Sequence, residues 1–488
     1  MTASSSYPWH HKRGNLIIDR NNENGFQQVT SRNENSTSHR QDTIFALATP
    51  PGRSAVQIIR ISGPGSARAL RAFTGQVPKP RQAHYRKITA ADGAVIDQGL
   101  VLFFQAPASA TGEDTAEIHL HGSPVLGQMV MEQLDDMQHF RLADPGEFSR
   151  RAFLNGKINL DQAEGIADII DANTVSQHQQ AIRQLDGALS QKTESWRQSI
   201  VSISAELAAL IDFADEDLPD DVAAKMMAQL QGLIDDLNQA LRSGRQGMIR
   251  RDGIRIALLG KPNAGKSTLL NHLAGDDRAI VSPEAGTTRD LVEVAMDIGG
   301  VFVTLTDTAG LRDDTGSVEK EGVRRALNAA RQAELVLLLV EANDPDPVAT
   351  AQKVITSLQG EATTPVQRII PLISKADCLT GGKTVPEWPL ISVQTGQGLA
   401  ELDQLIQRQI SDLLPEGEAP VLTRQRHMNN VKDAVRSLED ACQHNPQPSP
   451  ELMAEDLRLA ASALGRISGH VDVEDLLDHI FSSFCIGK

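Results

Sequence analysis

The segment that most restricts the fold of this chain is a glycine-rich loop near its middle. Residues 260–267 read Gly-Lys-Pro-Asn-Ala-Gly-Lys-Ser, and they lie between an apolar run at 254–259 and a helical pattern at 268–274. A strand, such a loop and a helix form a phosphate-binding unit, because backbone N–H groups surround the phosphates and the lysine contributes positive charge. The pattern therefore predicts a nucleotide-binding domain of the α/β class.

Two segments downstream of this loop carry groups that a triphosphate and its Mg²⁺ ion require. The Gly-Thr-Thr-Arg-Asp segment offers Thr288, which we expect to bind Mg²⁺ together with the hydroxyl of Ser267. In the Asp-Thr-Ala-Gly segment, Asp307 is predicted to anchor the metal without binding it directly, and Gly310 to donate its N–H to the γ-phosphate. We predict that Lys266 contacts the β- and γ-phosphate oxygens and that its positive charge contributes to catalysis.

The sequence Ser-Lys-Ala-Asp at 374–377 indicates that the base is guanine. The carboxylate of Asp377 can accept hydrogen bonds from two guanine N–H groups, and adenine has no such pair. Ser392 and Val393 end the next apolar run and are predicted to offer a backbone N–H to the guanine carbonyl. Ser374 stands where asparagine is common in guanine sites. The loop around Asp377, called the base loop below, therefore lacks an amide side chain that would connect it to the phosphate loop at 260–267.

The periodicity of apolar residues divides the chain into domains. The domain that contains the phosphate loop has four further β-like runs, at 301–305, 335–340, 369–373 and 390–393. They alternate with helical stretches, which predicts a mainly parallel sheet. On both sides of this domain apolar residues recur every three or four positions, which predicts one α-helical domain with the α/β domain inserted; two separate bundles fit the pattern as well. We expect a disordered polar leader at 1–41, an α+β domain at 42–160, helices at 161–251, the G domain at 252–414, and helices with a Cys-Ile-Gly-Lys tail at 415–488.

Charge and cysteine content limit the class of protein. The formal net charge is −16, so nucleic acid would have to bind a local basic surface rather than the chain as a whole. The widely separated Cys378, Cys442 and Cys485 fit neither a disulfide framework nor a zinc cluster, which favours a cytoplasmic location. No apolar run approaches the roughly 20 residues that cross a bilayer, so we expect no membrane association.

Motifs outside the G domain narrow the interpretation further. They are Ala-Thr-Pro-Pro-Gly-Arg at 48–53, Arg-Ile-Ser-Gly at 60–63, Pro-Gly-Glu-Phe at 145–148, Arg-Ala-Phe-Leu-Asn-Gly-Lys at 151–157 and Cys-Ile-Gly-Lys at 485–488. Together with the G-domain motifs, these segments resemble the MnmE (TrmE) family of tRNA-modification GTPases from bacteria and organelles. The resemblance extends from about residue 42 to residue 488.

The resemblance implies a reaction and a set of partners. In this family, GTP hydrolysis drives addition of an aminomethyl-type (carboxymethylaminomethyl) group to the 5-position of the tRNA wobble uridine. A flavoprotein partner, MnmG (GidA), takes part in a heterotetramer. The resemblance also implies a homodimer and an N-terminal domain that binds 5,10-methylene- or 5-formyl-tetrahydrofolate. The folate contacts carried over to this chain are Arg60, Glu117, Lys157 and Lys488, with Cys485 as a further candidate near that site.

The resemblance also implies how hydrolysis is catalysed. Leu311 follows the Asp-Thr-Ala-Gly segment, so no glutamine at that position orients the attacking water. In similar proteins K⁺ supplies positive charge beside the phosphates. Its expected ligands here are Asn263 and the backbone oxygens of Ser282, Glu284 and Thr287. The water-orienting role is assigned by resemblance to Glu319.

The full set of predicted GTP contacts combines the residue chemistry with the resemblance. We expect these residues at the carboxyl ends of strands of one sheet, where ligands of α/β domains bind. The set is Asn263, Ala264, Gly265, Lys266, Ser267, Thr268, Ser282, Thr287, Thr288, Asp307, Thr308, Ala309, Gly310, Ser374, Lys375, Asp377, Ser392 and Val393.

Two other classes of GTPase are alternatives. A ribosome-assembly GTPase of the related Era-like group would have a similar G domain. Such proteins add a basic RNA-binding module, whereas residues 421–488 are neither basic nor built around a Gly-x-x-Gly clamp. A membrane-remodelling GTPase would need a basic amphipathic surface or a lipid anchor, and the sequence shows neither.

Overall fold

The computed structural model describes most of the chain from residue 42 onward. The described ranges are 42–212, 221–275, 278–280, 292–307, 318–359, 368–379, 386–414, 419–444, 450–469, 471 and 474–487. Several sequence predictions fall outside these ranges. They concern the leader at 1–41 and the residues Ser282, Glu284, Thr287, Thr288, Thr308, Ala309, Gly310 and Lys488.

The described residues form eleven β-strands and fourteen α-helices. The strands are β1 (Thr43–Leu47), β2 (Ser54–Ser62), β3 (His84–Thr89), β4 (Val95–Phe104), β5 (Thr115–Gly122), β6 (Phe140–Leu142), β7 (Ile254–Gly260), β8 (Val292–Ile298), β9 (Val301–Asp307), β10 (Leu335–Glu341) and β11 (Arg368–Ser374). The helices are α1 (Ser66–Thr74), α2 (Pro124–Asp135), α3 (Glu147–Leu154), α4 (Leu160–Asp171), α5 (Val175–Leu185), α6 (Ala188–Asp212), α7 (Asp221–Asp252), α8 (Lys266–Leu273), α9 (Val318–Gln332), α10 (Pro347–Gln359), α11 (Leu399–Leu413), α12 (Gln425–Gln443), α13 (Pro450–Ser468) and α14 (Glu474–Ser482).

The first domain is a six-stranded sheet with α1 and α2 packed against it. Its strand order is β3-β4-β5-β2-β1-β6, antiparallel except for the pair β1–β6. Ile59 and Ile61 of β2 are two residues apart and therefore point to the same face of the sheet. Both are fully buried in one cluster with Phe45 of β1 and with Leu70 and Phe73 of α1. The predicted α+β class of this domain is confirmed.

Both flanks of the G domain contribute to a single helical core. Trp196 on α6, Leu237 on α7, Val431 on α12 and Leu457 on α13 belong to one buried cluster. An apolar stripe on a helix is buried when a second helix packs on it, and here the matching stripes come from the two flanks. The predicted single helical domain is confirmed, and two separate bundles are excluded. Among the described helices, none combines the length and the apolar character needed to span a bilayer.

The inserted domain is a five-stranded sheet in the order β11-β10-β7-β9-β8. Three neighbouring pairs are parallel and β8 pairs antiparallel with β9, which confirms a mainly parallel sheet. The parallel pairs place the carboxyl ends of β7, β9, β10 and β11 at one edge of the sheet.

The structure differs from the predicted strands at two places. The expected strand at 390–393 is reduced to one bridge between Ile373 and Leu390, because the N–H of Ser392 turns toward the carbonyl of Gln397. Strand β8 was not predicted. Its signal is the pair Gly299-Gly300 between β8 and β9, whose φ angles of 63° and 83° suit a two-residue hairpin turn.

A buried cluster of charged side chains joins α4 to the start of α12. The Glu164 side chain is 2% exposed and accepts hydrogen bonds from Arg426 Nε at 2.6 Å and from His427 Nε2 at 3.1 Å. The other ring nitrogen of His427 accepts the N–H of Thr423 at 3.4 Å, so the neutral imidazole is satisfied on both sides. Burial favours protonation of Glu164, but Arg426 and His427 outweigh it and hold the pKa of this carboxyl well below its usual range.

The same helix also holds both connections to the G domain. Oδ1 of Asp168, one turn after Glu164, accepts from Arg251 Nε at 2.9 Å and from a terminal nitrogen of Arg424 at 2.6 Å. Arg251 is next to the last residue of α7, just before the G domain, and Arg424 comes just before α12, after the G domain. One carboxylate therefore fixes the entry to and the exit from the inserted domain.

We predict that His427 makes the folded state less stable in acid. Burial lowers its pKa to about 4, and the cations of Arg426 and Arg424 oppose its protonation, although Glu164 favours it. An unfolded chain binds a proton below the ordinary value of 6.5, so this stability is present above pH 6.5 and is lost as the pH falls toward about 4. Between pH 6.5 and 4 the free energy of unfolding of the unsubstituted protein should fall by ~1 kcal/mol per pH unit through His427, and His427→Gln should remove this part of the slope. Thermal or denaturant unfolding from pH 7 to 4 measures it.

The matched control for this experiment is His178→Gln, since His178 is exposed on α5. It should keep the slope of the unsubstituted protein. If the free energy of unfolding of His427→Gln depends on pH as steeply as that of the unsubstituted protein, His427 is not a neutral buried histidine in the folded state.

Candidate functional site

The phosphate loop connects β7 to α8 through a backbone that requires particular residues. Gly260, Asn263 and Gly265 have φ angles of 152°, 66° and 91°. A Cβ atom on Gly260 would lie 2.5 Å from the carbonyl oxygen of Leu339 on β10, so a side chain cannot be accommodated there. Asparagine tolerates the left-handed region better than most residues, which suits position 263. The local sequence therefore fixes the loop that the motif predicted.

Lys266 is held over this loop by the chain's own oxygens. Its side chain is buried, and Nζ donates to the carbonyl oxygens of Gly260 at 2.7 Å and Lys261 at 2.8 Å. Burial lowers the pKa of Lys266, while the carboxylates of Asp307 and Glu341 act in the opposite direction. A desolvated ammonium group at this position gains from an incoming anion, which fits contact with phosphate oxygens.

The residues proposed for Mg²⁺ meet at the adjacent strand end. The hydroxyl of Ser267, the second residue of α8, donates to Oδ2 of Asp307 at 2.5 Å, and Asp307 is the last residue of β9. A hydroxyl and a carboxylate are hard oxygen donors of the kind that Mg²⁺ prefers. The donor set therefore fits the metal, with Thr288 outside the described residues.

The base loop follows β11 and presents Asp377 to solvent. Lys375 adopts a φ of 56°, and the N–H of Ala376 donates to the carbonyl of Ile391 at 3.0 Å, which orients the turn. Oδ1 of Asp377 accepts the hydroxyl of Ser392 at 2.5 Å. This bond and a weaker one from the Cys378 thiol lower the pKa of Asp377, so the carboxylate is charged and oriented for two N–H donors.

Sequence reasoning misplaced the contribution of Ser392. Its N–H donates to the Gln397 carbonyl at 2.9 Å and is used within the loop, which leaves the N–H of Val393 as the predicted contact with guanine. The hydroxyl of Ser392, which was not considered, positions the carboxylate of Asp377 instead. The signal in the sequence was a serine at the end of an apolar run, where a side chain can face the neighbouring loop.

The described part of the predicted folate set divides into two places. Arg60 and Glu117 are opposite residues on β2 and β5, and their side chains form an ion pair with N–O distances of 3.0 and 3.1 Å. A hydrogen bond from His119 and the charge of Arg60 outweigh burial and lower the pKa of Glu117. The ammonium of Lys157 donates to the Pro107 carbonyl at 3.0 Å rather than to this pair.

The C-terminal tail lies against the N-terminal domain beside Arg60. The Arg60 guanidinium donates to the carbonyl of Gly487 at 3.5 Å, and the N–H of Gly146 donates to the carbonyl of Cys485 at 3.4 Å. Gly487 has a φ of 96°, and a Cβ there would lie 2.3 Å from the carbonyl oxygen of Leu47. The tail thus brings Cys485, which is exposed, toward the predicted folate residues.

Comparison with known proteins identifies the family to which this chain belongs. A family model described as the MnmE helical domain matches residues 160–485, and one described as the GTP-binding protein TrmE N-terminus matches residues 43–157. The tRNA modification GTPase MnmE of Paramagnetospirillum magneticum is 46% identical over 453 residues, which cover 92% of this chain and 100% of that protein. This chain belongs to the MnmE family of tRNA modification GTPases. Proteins of the same name from Granulibacter bethesdensis and Parvibaculum lavamentivorans are 44% identical over 448 and 451 residues, with 92% of this chain and 100% of each relative covered.

Membership of the MnmE family confirms the resemblance and the class of GTP hydrolase that the sequence indicated. The domain boundaries and the roles of individual site residues stay predictions. Glu319, the proposed water-orienting residue, is the second residue of α9.

We predict that Asp377→Ala abolishes the preference for guanine over adenine nucleotides. The substitution leaves two base N–H groups without their charged acceptor, and affinity for labelled GDP should fall on the order of a hundredfold or more. Affinity for labelled ADP should change little, because adenine lacks the donor pair. Fluorescence titration with both nucleotides measures this.

Asp412→Ala is the control for this titration, since Asp412 pairs with Arg368 at the opposite end of β11. It should bind both nucleotides as the unsubstituted protein does. A guanine preference that survives in Asp377→Ala would show that another group selects the base.

Proposed function

We propose that this MnmE-family chain hydrolyses GTP to drive addition of a carboxymethylaminomethyl-type group to the 5-position of the wobble uridine in tRNA. One observation carries the proposal: Lys266, the hydrogen-bonded pair Ser267 and Asp307, and Asp377 all lie at the same edge of the G-domain sheet. A second support is the contact of the C-terminal tail with Arg60 in a separate domain. An Era-like ribosome-assembly role accounts for the first of these features and not for the second.

In the proposed hydrolysis, water attacks the γ-phosphorus, and GDP and phosphate leave. Lys266 offsets charge on the β- and γ-oxygens, and the desolvated position of its ammonium strengthens that contact. Ser267 and Thr288 would hold Mg²⁺, which supplies positive charge shared by the β- and γ-phosphates. Glu319 is proposed to orient the water, and Gly310 to donate its N–H to the γ-phosphate.

We further propose that K⁺ stimulates this hydrolysis. Asn263 belongs to the phosphate loop and has the left-handed backbone that turns the loop beside Gly265 and Lys266. Its amide oxygen, with the backbone oxygens of Ser282, Glu284 and Thr287, is the proposed ligand set. A monovalent cation there would neutralise charge that develops on the phosphates, the role that an arginine has in other GTPases.

We predict that GTP turnover is on the order of tenfold faster in K⁺ than in Na⁺, and that Asn263→Gly removes the difference. Glycine keeps the φ of 66° without strain, so the variant loses the amide and retains the loop. Phosphate release measured in the two salts at equal ionic strength tests this.

Binding of labelled GDP is the control, because it should remain within about twofold in Asn263→Gly if the loop is intact. Equal turnover of the unsubstituted protein in both salts would overturn the potassium proposal.

We propose that the N-terminal domain binds a one-carbon tetrahydrofolate at Arg60 and Glu117, with Lys157 and Lys488 as further contacts and Cys485 nearby. The ion pair and the tail carbonyl of Gly487 give this place both donors and acceptors, which suits a ligand that carries a pterin and a glutamate. A homodimer and a flavoprotein partner of the MnmG (GidA) type complete the proposal. The cytoplasmic location stays a prediction.

We predict that cells lacking this protein contain tRNA with an unmodified 5-position at the wobble uridine. Mass analysis of tRNA nucleosides should show the modified nucleoside restored by the unsubstituted protein and not by Arg60→Gln, because Arg60→Gln removes a folate contact. The purified Arg60→Gln variant should keep its GTP turnover, since Arg60 lies in a different domain from the phosphate loop.

Arg458→Gln is the control, since Arg458 is an exposed arginine of α13 that pairs with Glu455 and belongs to no proposed site. An unchanged nucleoside profile in the absence of the protein, together with defective ribosomal subunits, would favour the Era-like alternative.

A further inference from the structure

Among the residues that the structure describes, no side chain of the base loop is hydrogen-bonded directly to the phosphate loop. Ser374, the last residue of β11, is buried, and its hydroxyl donates to the carbonyl of Val340 on the neighbouring strand at 3.4 Å. The side chain is therefore used within the sheet. Because a nucleotide contacts both loops at once, their relative position must be fixed by other groups.

The phosphate loop has an ion pair to the segment after β10. Nζ of Lys261 lies 2.7 Å from Oδ2 of Asp344. The Asp344 side chain is 5% exposed, and it also accepts from the hydroxyl of Thr350 and the N–H of Asp346, each at 3.1 Å. Burial disfavours the charged form, but these donors, Lys261 first, outweigh it and lower the pKa of Asp344. The carboxylate is thus a fixed, charged partner.

A second ion pair joins the end of β10 to the base loop. Oε1 of Glu341 lies 3.3 Å from Nζ of Lys375, which directly follows Ser374. The two pairs are connected through backbone, since the N–H of Asp344 donates to the Glu341 carbonyl at 2.9 Å. A continuous path of contacts therefore runs from the phosphate loop to the base loop.

We propose that this path, from Lys261 through Asp344 and Glu341 to Lys375, is a latch that sets the distance between the two loops and so sets affinity for the guanine nucleotide. The proposal rests on the proposed guanine-nucleotide site. Lys261 and Asp344 are positioning residues: they act through the loops and not by contact with the reacting atoms.

Substitutions of Lys261 and Asp344 distinguish the latch from a direct effect of their charges on the bound phosphates. Lys261→Gln removes a positive charge near the phosphates, and Asp344→Asn removes a negative one, so an electrostatic effect alone would weaken binding in the first and strengthen it in the second. The latch requires that both substitutions weaken binding. We expect each to reduce affinity for fluorescently labelled GDP on the order of tenfold, with kcat at saturating GTP nearly unchanged.

The double variant and a substitution at Ser374 give two further tests. Lys261→Gln combined with Asp344→Asn should be no weaker than the single variants, because one interaction is lost in each case. In a Ser374→Asn background, the longer amide side chain can replace the latch. Lys261→Gln or Asp344→Asn should then reduce affinity for labelled GDP by about twofold or less.

Asp412→Asn is the control, since its partner Arg368 lies at the far end of β11, and it should bind labelled GDP normally. Lys261 is 61% exposed, so Lys261→Gln tests the latch even if Asp344→Asn unfolds. Unchanged affinity in Lys261→Gln, or opposite shifts in the two variants, would overturn the latch alone. An unsubstituted protein that does not prefer labelled GDP to labelled ADP would overturn the guanine site and the latch with it.

Discussion

The parallel pairing of β7 with its neighbours is the constraint on which the candidate nucleotide site depends. Leu258 lies opposite Asp307 on β9, and Gly260 lies opposite Leu339 on β10. This register places the start of the phosphate loop next to Asp307, the carboxylate proposed for the Mg²⁺ site, on one side and next to the end of β10 on the other. The side chains of β7 are buried on both faces of the sheet, with Ile256 and Leu258 in one cluster and Ala257 and Leu259 in another. A shift of one residue would exchange the two sets and disturb both cores, so the packing of the sheet protects the geometry of the site.

Ion pairs with little exposed surface, and not apolar contacts alone, attach the inserted domain to the helical domain. Glu164 and Asp168 have little exposed surface, and together they face Arg251, Arg424, Arg426 and His427. Charges in such a place are tolerated when each has a partner, and removal of one partner leaves the others buried without compensation. The cluster therefore holds both connections of the inserted domain against α4 of the helical domain.

The N-terminal sheet and the last residues of the chain form the other long-range contact. Gly487 fits against Leu47 because it has no side chain, and its carbonyl meets Arg60. The site proposed for folate thus combines residues that are more than four hundred positions apart in the sequence, as the separation of 427 residues between Arg60 and Gly487 shows.

The sequence by itself determined the phosphate loop, the alternation of strands and helices, and the family, and it singled out Asp377 as the residue proposed to select the base. Each of these depends on local spacing and on residue chemistry. Tertiary structure decided the rest. It joined the two helical flanks into one core, reduced the run at 390–393 to a single bridge, and gave the Ser392 hydroxyl to Asp377. It also paired Lys261 with Asp344, which lie 83 residues apart. These outcomes depend on which surfaces meet when the chain folds, and a pairing between distant residues leaves no periodicity or spacing in a single sequence.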